Sequence, residues 1–120
     1  MAKKILLIDD DRDFLEMVQS FLEGEGFEVD VAHNGAQANF KANEQSYDLV
    51  IVDIVLPFLS GIEFLKKFQI EQQHNTPVII VSGFLTRDLV EALEEKGNTV
   101  LPKPFPLRDL MKKIAHALPD

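Results

Sequence analysis

Apolar positions along the chain fall into two kinds of run. In the first kind they stand side by side: Ile5 to Ile8, Leu49 to Val52, Val78 to Val81, and the shorter Val100-Leu101. Unbroken runs of this length read as strands covered on both faces, as in a parallel sheet. In the second kind they recur every three or four positions, the spacing of one helix face. These are Phe14, Leu15, Val18, Phe21 and Leu22; Ile62, Leu65 and Phe68; Leu89, Val90 and Leu93; and Leu107, Leu110, Met111, Ile114 and Leu118. Two segments are less emphatic. Phe27, Val29 and Val31 alternate with Glu28 and Asp30, as in a half-buried strand nearer a sheet edge. Ala36 to Ser46 carries a weak helical pattern after the turn signal Asn34-Gly35. Gly24 and Gly26 stop the first helix and Gly97 the fourth. Strand and helix thus alternate five times, which predicts one α/β domain over residues 1–120, a parallel sheet with helices on both faces.

The strand predicted over residues 48–53 organises the rest. Its apolar run contains one carboxylate, Asp53, and Pro57 ends it soon afterwards because proline has no N–H for a ladder. A buried charge is costly, so Asp53 belongs at the carboxyl end of the strand, where the sheet opens. In open α/β sheets ligands bind at that end. Three other strands deliver polar groups to the same edge: Asp9 and Asp10 after the first, Ser82 after the fourth, Lys103 after the fifth.

Composition narrows the chemistry. Net charge is −8 over 120 residues, which disfavours direct contact with a nucleic-acid backbone and suits a cation or a basic partner. Cysteine is absent, which rules out thiol catalysis and thiolate metal sites. The apolar run after Lys3-Lys4 is too short for a signal peptide or a membrane span, so a cytoplasmic protein is expected. Converging carboxylates repel one another and call for a cation. Oxygen ligands alone favour a hard ion, and Mg²⁺ suits a site that handles phosphate. Acids, hydroxyl and lysine together suit phosphoryl transfer to a carboxylate.

At these residues the chain resembles the response-regulator receiver domains of two-component signalling. The resemblance rests on Asp9-Asp10, Asp53, Pro57 and Gly61, Ser82-Gly83, and Lys103-Pro104-Phe105, and it spans essentially the whole chain. It implies a flavodoxin-like doubly wound fold with strand order 2-1-3-4-5. It further implies a signalling switch in place of a turnover enzyme, with Asp53 taking a phosphoryl group from a histidine kinase or histidine phosphotransfer protein. Asp10, Asp53 and the Val55 carbonyl would hold Mg²⁺, Asp9 would assist through water, and Ser82 and Lys103 would bind the phosphoryl oxygens. Lys103-Pro104 resembles the family's cis peptide. The partner or dimer surface would be the face of helix four, strand five and helix five.

The chain departs from the family in two respects. Val100 stands where the family often has Tyr or Phe, so activation without an aromatic rotamer switch is expected. Val55 and Phe84 are apolar where polar residues often flank the approach to the acceptor, which predicts slow self-dephosphorylation. Phe58-Leu59 and Phe84-Leu85 also place bulky apolar residues in the adjoining loops.

Other readings compete. Asp9-x-Asp11 resembles the nucleophile motif of haloacid-dehalogenase-like phosphatases, in which Asp9 would attack, but Asp13 stands where that family has a hydroxyl or apolar residue. A degenerate receiver that only binds protein is disfavoured by the intact acid, hydroxyl and lysine set. Asp9-x-Asp11-x-Asp13 fails as an EF-hand, with Phe14 in place of the loop glycine and Ser20 in place of the closing glutamate. Asp11 also suits a helix N-cap. His33, His74 and His116 have no metal-ligand spacing and read as surface residues. The chain reads either as a stand-alone receiver or as part of a longer regulator.

Overall fold

The computed structural model describes residues 2–55, 61–71, 76–83 and 85–118. Five strands, β1 (Lys4–Ile8), β2 (Glu28–Ala32), β3 (Leu49–Asp53), β4 (Val78–Ser82) and β5 (Thr99–Pro102), form one sheet in the order β2-β1-β3-β4-β5. All four pairings are parallel. The helices are α1 (Arg12–Gly24), α2 (Gly35–Glu44), α3 (Gly61–Glu71), α4 (Arg87–Glu95) and α5 (Leu107–Ala117). This is the doubly wound, flavodoxin-like order that the family resemblance implies.

Period-two alternation divides the core into two layers. Leu6, Ile8, Val50, Val52, Val78, Ile80 and Val100 pack with Ala38 and Ala42 of α2, Phe64, Leu65 and Phe68 of α3, and Leu93 of α4. Ile5, Leu7, Leu49, Ile51, Ile79, Val81 and Leu101 pack on the other side with α1 and α5. Every residue of β3 and β4 is buried. That is why those strands carry unbroken apolar runs and why α2, packed through small alanines, shows so faint a pattern.

Helix boundaries follow local chemistry. Asp11, Asn34 and Thr86 each cap a helix by accepting a backbone N–H from the residue three positions on. The turns after α1 and α4 need a left-handed residue, which Gly26 (φ 97°) and Gly97 (φ 89°) supply. Gly24 itself is the last residue of α1.

The edge strand β2 is closed by side chains. Gln19 donates to the Val29 carbonyl and Lys41 to the Val31 carbonyl, so helices on both faces cap the outward groups of β2. Asp30 accepts from Tyr47 Oη at 2.8 Å and from Gln45 Nε2 at 2.9 Å. Burial, then the neighbouring Asp30, pushes the Tyr47 phenol above its ordinary value. A raised phenol pKa stabilises the fold below the unfolded value of 10.0 and loses that stabilisation as pH rises past it. Tyr47→Phe is expected to cost about 1.5–3 kcal/mol at neutral pH, the range for a hydrogen bond to a charged acceptor, read by urea denaturation.

Candidate functional site

The carboxyl ends of β1, β3, β4 and β5 carry the acids, the hydroxyl and the lysine. Asp9 follows β1 directly, Asp53 ends β3, Ser82 ends β4, and Lys103 follows β5. Register explains their meeting. Ile8 lies opposite Val52, Asp53 opposite Val81, and Ser82 opposite Pro102, so four strand ends reach one level. The Lys103 backbone N–H donates to the Ser82 carbonyl at 2.9 Å, extending the β4–β5 ladder by one bond.

Lys103 is the hub. Its Nζ donates to Asp9 Oδ2 at 2.6 Å and to Asp53 Oδ2 at 3.1 Å. The second oxygen of each acid takes a backbone N–H: Asp9 Oδ1 that of Asp11 at 3.0 Å, Asp53 Oδ1 that of Val55 at 2.9 Å. Asp9 is fully buried and Asp53 is 8% exposed, so neither carboxylate rests on bulk water. The Lys103–Pro104 peptide is cis.

Burial pushes the Asp9 carboxyl above the ordinary carboxylate range, and the hydrogen bonds from Lys103 and Asp11 only partly offset it. Burial alone would lower the Lys103 ammonium. Its hydrogen bond to Asp9 and the charges of Asp9 and Asp53 reverse that, and the net direction is upward. The site therefore holds Lys103 charged while charging Asp9 costs free energy.

Carboxylate oxygens of Asp9, Asp10 and Asp53 lie within 4.8 Å of one another, with Asp10 exposed at the mouth. Two of these acids pair with the one ammonium and the third lies beside them, and hard oxygen donors of this kind fit a divalent ion such as Mg²⁺. The Ser82 side chain is buried at the end of β4. Val55, by contrast, is 51% exposed at the rim.

Several expectations take physical form here. Asp11 accepts the Phe14 N–H as the cap of α1, so the second acid of the phosphatase-like Asp9-x-Asp11 pair is engaged with the helix. Val100 is buried in the layer of Leu93, Leu89 and Val90, an aliphatic side chain where the family often has a ring. His33 corrects the surface reading: it is half-buried, and among the described residues its Nδ1 is enclosed without a partner. Pro57, Phe58-Leu59, His74 and Phe84 lie outside the described residues. The direct Lys103 pairing with Asp9, and the Phe14 ring 4.2 Å from the ammonium, had no sequence signal, since nothing local links positions so far apart.

Residues 5–115 match the family model described as the response regulator receiver domain. The CpxR homolog of Haemophilus influenzae, a transcriptional regulatory protein, is 43% identical over 116 residues, 96% of this chain and 50% of that protein. The regulatory protein VanRB of Enterococcus faecalis is 33% identical over 119 residues, 98% of this chain and 53% of its own. The chain spans about half the length of the curated relatives it matches. Among solved structures, the Francisella response regulator 1452 receiver domain superposes with a TM-score of 0.87 at 31% identity, over 96% of this chain and 95% of that one. A CheY-like receiver domain from Methanospirillum hungatei gives 0.91 at 30% identity, over 98% and 94%. Among the described residues no helix is long and apolar enough to cross a membrane. With this fold and an acidic cluster at its sheet edge, the chain belongs to the response-regulator receiver family, the phosphorylation-activated signalling switches of two-component systems.

Proposed function

We propose that residues 1–120 form one cytoplasmic receiver domain in which Asp53 is the phosphoacceptor for a histidine kinase or histidine phosphotransfer protein. The observation that carries this reading is the convergence of Asp53, Asp9 and Lys103 at one sheet edge, with Asp10 at the mouth. An Asp53 carboxylate oxygen forms the new O–P bond as the phosphohistidine N–P bond breaks, and the freed imidazole takes up a proton. Lys103 turns from Asp53 Oδ2 to a phosphoryl oxygen, and the Ser82 hydroxyl donates to another. Asp9, Asp10, Asp53 and the Val55 carbonyl are the groups that would hold Mg²⁺, which supplies positive charge to the transferring oxygens. A Cβ at Gly83 would meet nothing within 4 Å, so the backbone there leaves room for an incoming imidazole. With Val100 in the core, activation moves the segment that begins at Ser82 and the following α4, altering the α4–β5–α5 face for a partner or a second copy.

Incubation with acetyl phosphate and Mg²⁺, followed by mapping of the acylphosphate, tests the reading. Label on Asp53 supports it, label on Asp9 supports a phosphatase-type nucleophile, and no label leaves a protein-binding module. Asp10→Asn removes a charge at the mouth without touching the Asp9–Lys103 pair. Its Mg²⁺ affinity is expected to fall on the order of tenfold, measured as Mg²⁺-dependent thermal stabilisation. Equal stabilisation of wild type and variant would remove Asp10 from the metal site.

A further inference from the structure

The Lys103 ammonium has a third neighbour, which the reaction above leaves unused. Its Nζ lies 4.2 Å from the centre of the Phe14 ring, on top of the two carboxylate contacts. A cation over an aromatic face is attracted by the ring quadrupole, and the contact has no fixed hydrogen-bond direction. Phe14 is itself held in place. Its backbone N–H donates to the Asp11 cap in the first turn of α1, and Phe105 meets its ring edge-on at 90° with centroids 6.0 Å apart. Lys103-Pro104-Phe105 therefore carries both the ammonium and the ring that braces its platform. On the outer side Phe14, Met17, Lys103, Pro104 and Phe105 border a hollow of about 160 Å³, so Lys103 is not wedged there by dense packing.

We propose that Phe14 is a positioning residue for phosphoryl transfer: its ring confines the Lys103 ammonium beside Asp53 while letting it slide from carboxylate to phosphoryl oxygen. This rests on the reading of Asp53 as phosphoacceptor. Asp9 alone would draw the ammonium toward the buried side at 2.6 Å. The ring holds it laterally, so it stays within reach when Asp53 changes charge and shape.

The test combines a spectroscopic and a kinetic readout on the whole domain. In wild type the ring current of Phe14 is expected to shift the Lys103 ε-methylene protons upfield. Phe14→Leu is expected to abolish that shift and slow Asp53 labelling by acetyl phosphate about fivefold, the scale of one exposed cation–π contact. Phe14→Tyr is expected to keep both. Because Phe14→Leu can also loosen the helix, the ring is separately replaced by fluorinated phenylalanines, which keep its shape and drain its face of charge. Labelling is expected to slow as fluorine is added while the unfolding midpoint holds. Unchanged ε-methylene shifts in Phe14→Leu, or equal rates across the fluorinated series with label on Asp53, overturn the inference alone. Absence of label on wild type overturns the phosphoacceptor reading, and this inference with it.

Discussion

Asp53→Asn is expected to abolish acylphosphate formation while the domain stays folded. The side chain sits at the end of a strand whose five residues are all buried, so its position is set by the sheet and survives an isosteric change. The amide can still accept the Val55 N–H through its remaining oxygen. Its nitrogen then faces the Lys103 ammonium, donor against donor, where Asp53 Oδ2 had accepted at 3.1 Å. Lys103 keeps Asp9 as its counter-charge, so the fold loses one charge-assisted hydrogen bond, about 1.5–3 kcal/mol. The chemistry loses its nucleophilic oxygen altogether. Mass spectrometry after acetyl phosphate treatment is expected to show a phosphorylated wild type and an unmodified variant that still melts cooperatively, a few degrees lower. Continued labelling of the variant would mean that another carboxylate is the acceptor.

Much of this was legible in the chain because the physics is local. Strands buried on both faces must be apolar throughout, so β1, β3 and β4 announce themselves, and a polar residue that breaks such a run lies at an end. Asp9, Asp53 and Ser82 follow from that rule alone. The outer strands and α2 read more faintly for the same reason. β2 has an edge to protect, and α2 packs through Ala38 and Ala42, which carry little pattern. Pairings across the chain left no trace in it. Phe64, fully buried in α3, falls outside the Ile62, Leu65 and Phe68 spacing. Tyr47 serves as the partner of Asp30 seventeen residues away, and Lys103 meets Asp9 across ninety-four. A side chain's partner depends on which strand ends the topology brings level, and that is set by register.

The Lys103–Asp9 pair yields the largest expected effect on stability. Asp9 has no solvent exposure, and Lys103 is its strongest source of compensating charge. Breaking a buried pair from one side leaves the other charge stranded, typically at a cost of several kcal/mol. Lys103→Met is therefore expected to destabilise the domain by about 3 kcal/mol at pH 7. Asp9→Asn acts in the opposite sense. Burial already holds the Asp9 carboxyl above its ordinary 3.8, so charging it opposes folding. A group with a raised folded pKa contributes stability below the unfolded value and loses it as pH rises through the folded one. Asp9→Asn should thus gain on wild type as pH climbs from about 3.8 through the raised value. Without Lys103 the Asp9 carboxyl rises further. The deficit of Lys103→Met should then be small in acid, where Asp9 is protonated, and full at neutral pH. Chemical denaturation of both single variants and of the double variant Asp9→Asn/Lys103→Met, at pH 4 and pH 7, measures the coupling directly. The double variant is expected to recover most of the stability lost by Lys103→Met at pH 7. A deficit that persists unchanged in acid, or that the second substitution does not relieve, would place the cost in lost packing of the lysine stem instead of in the stranded charge.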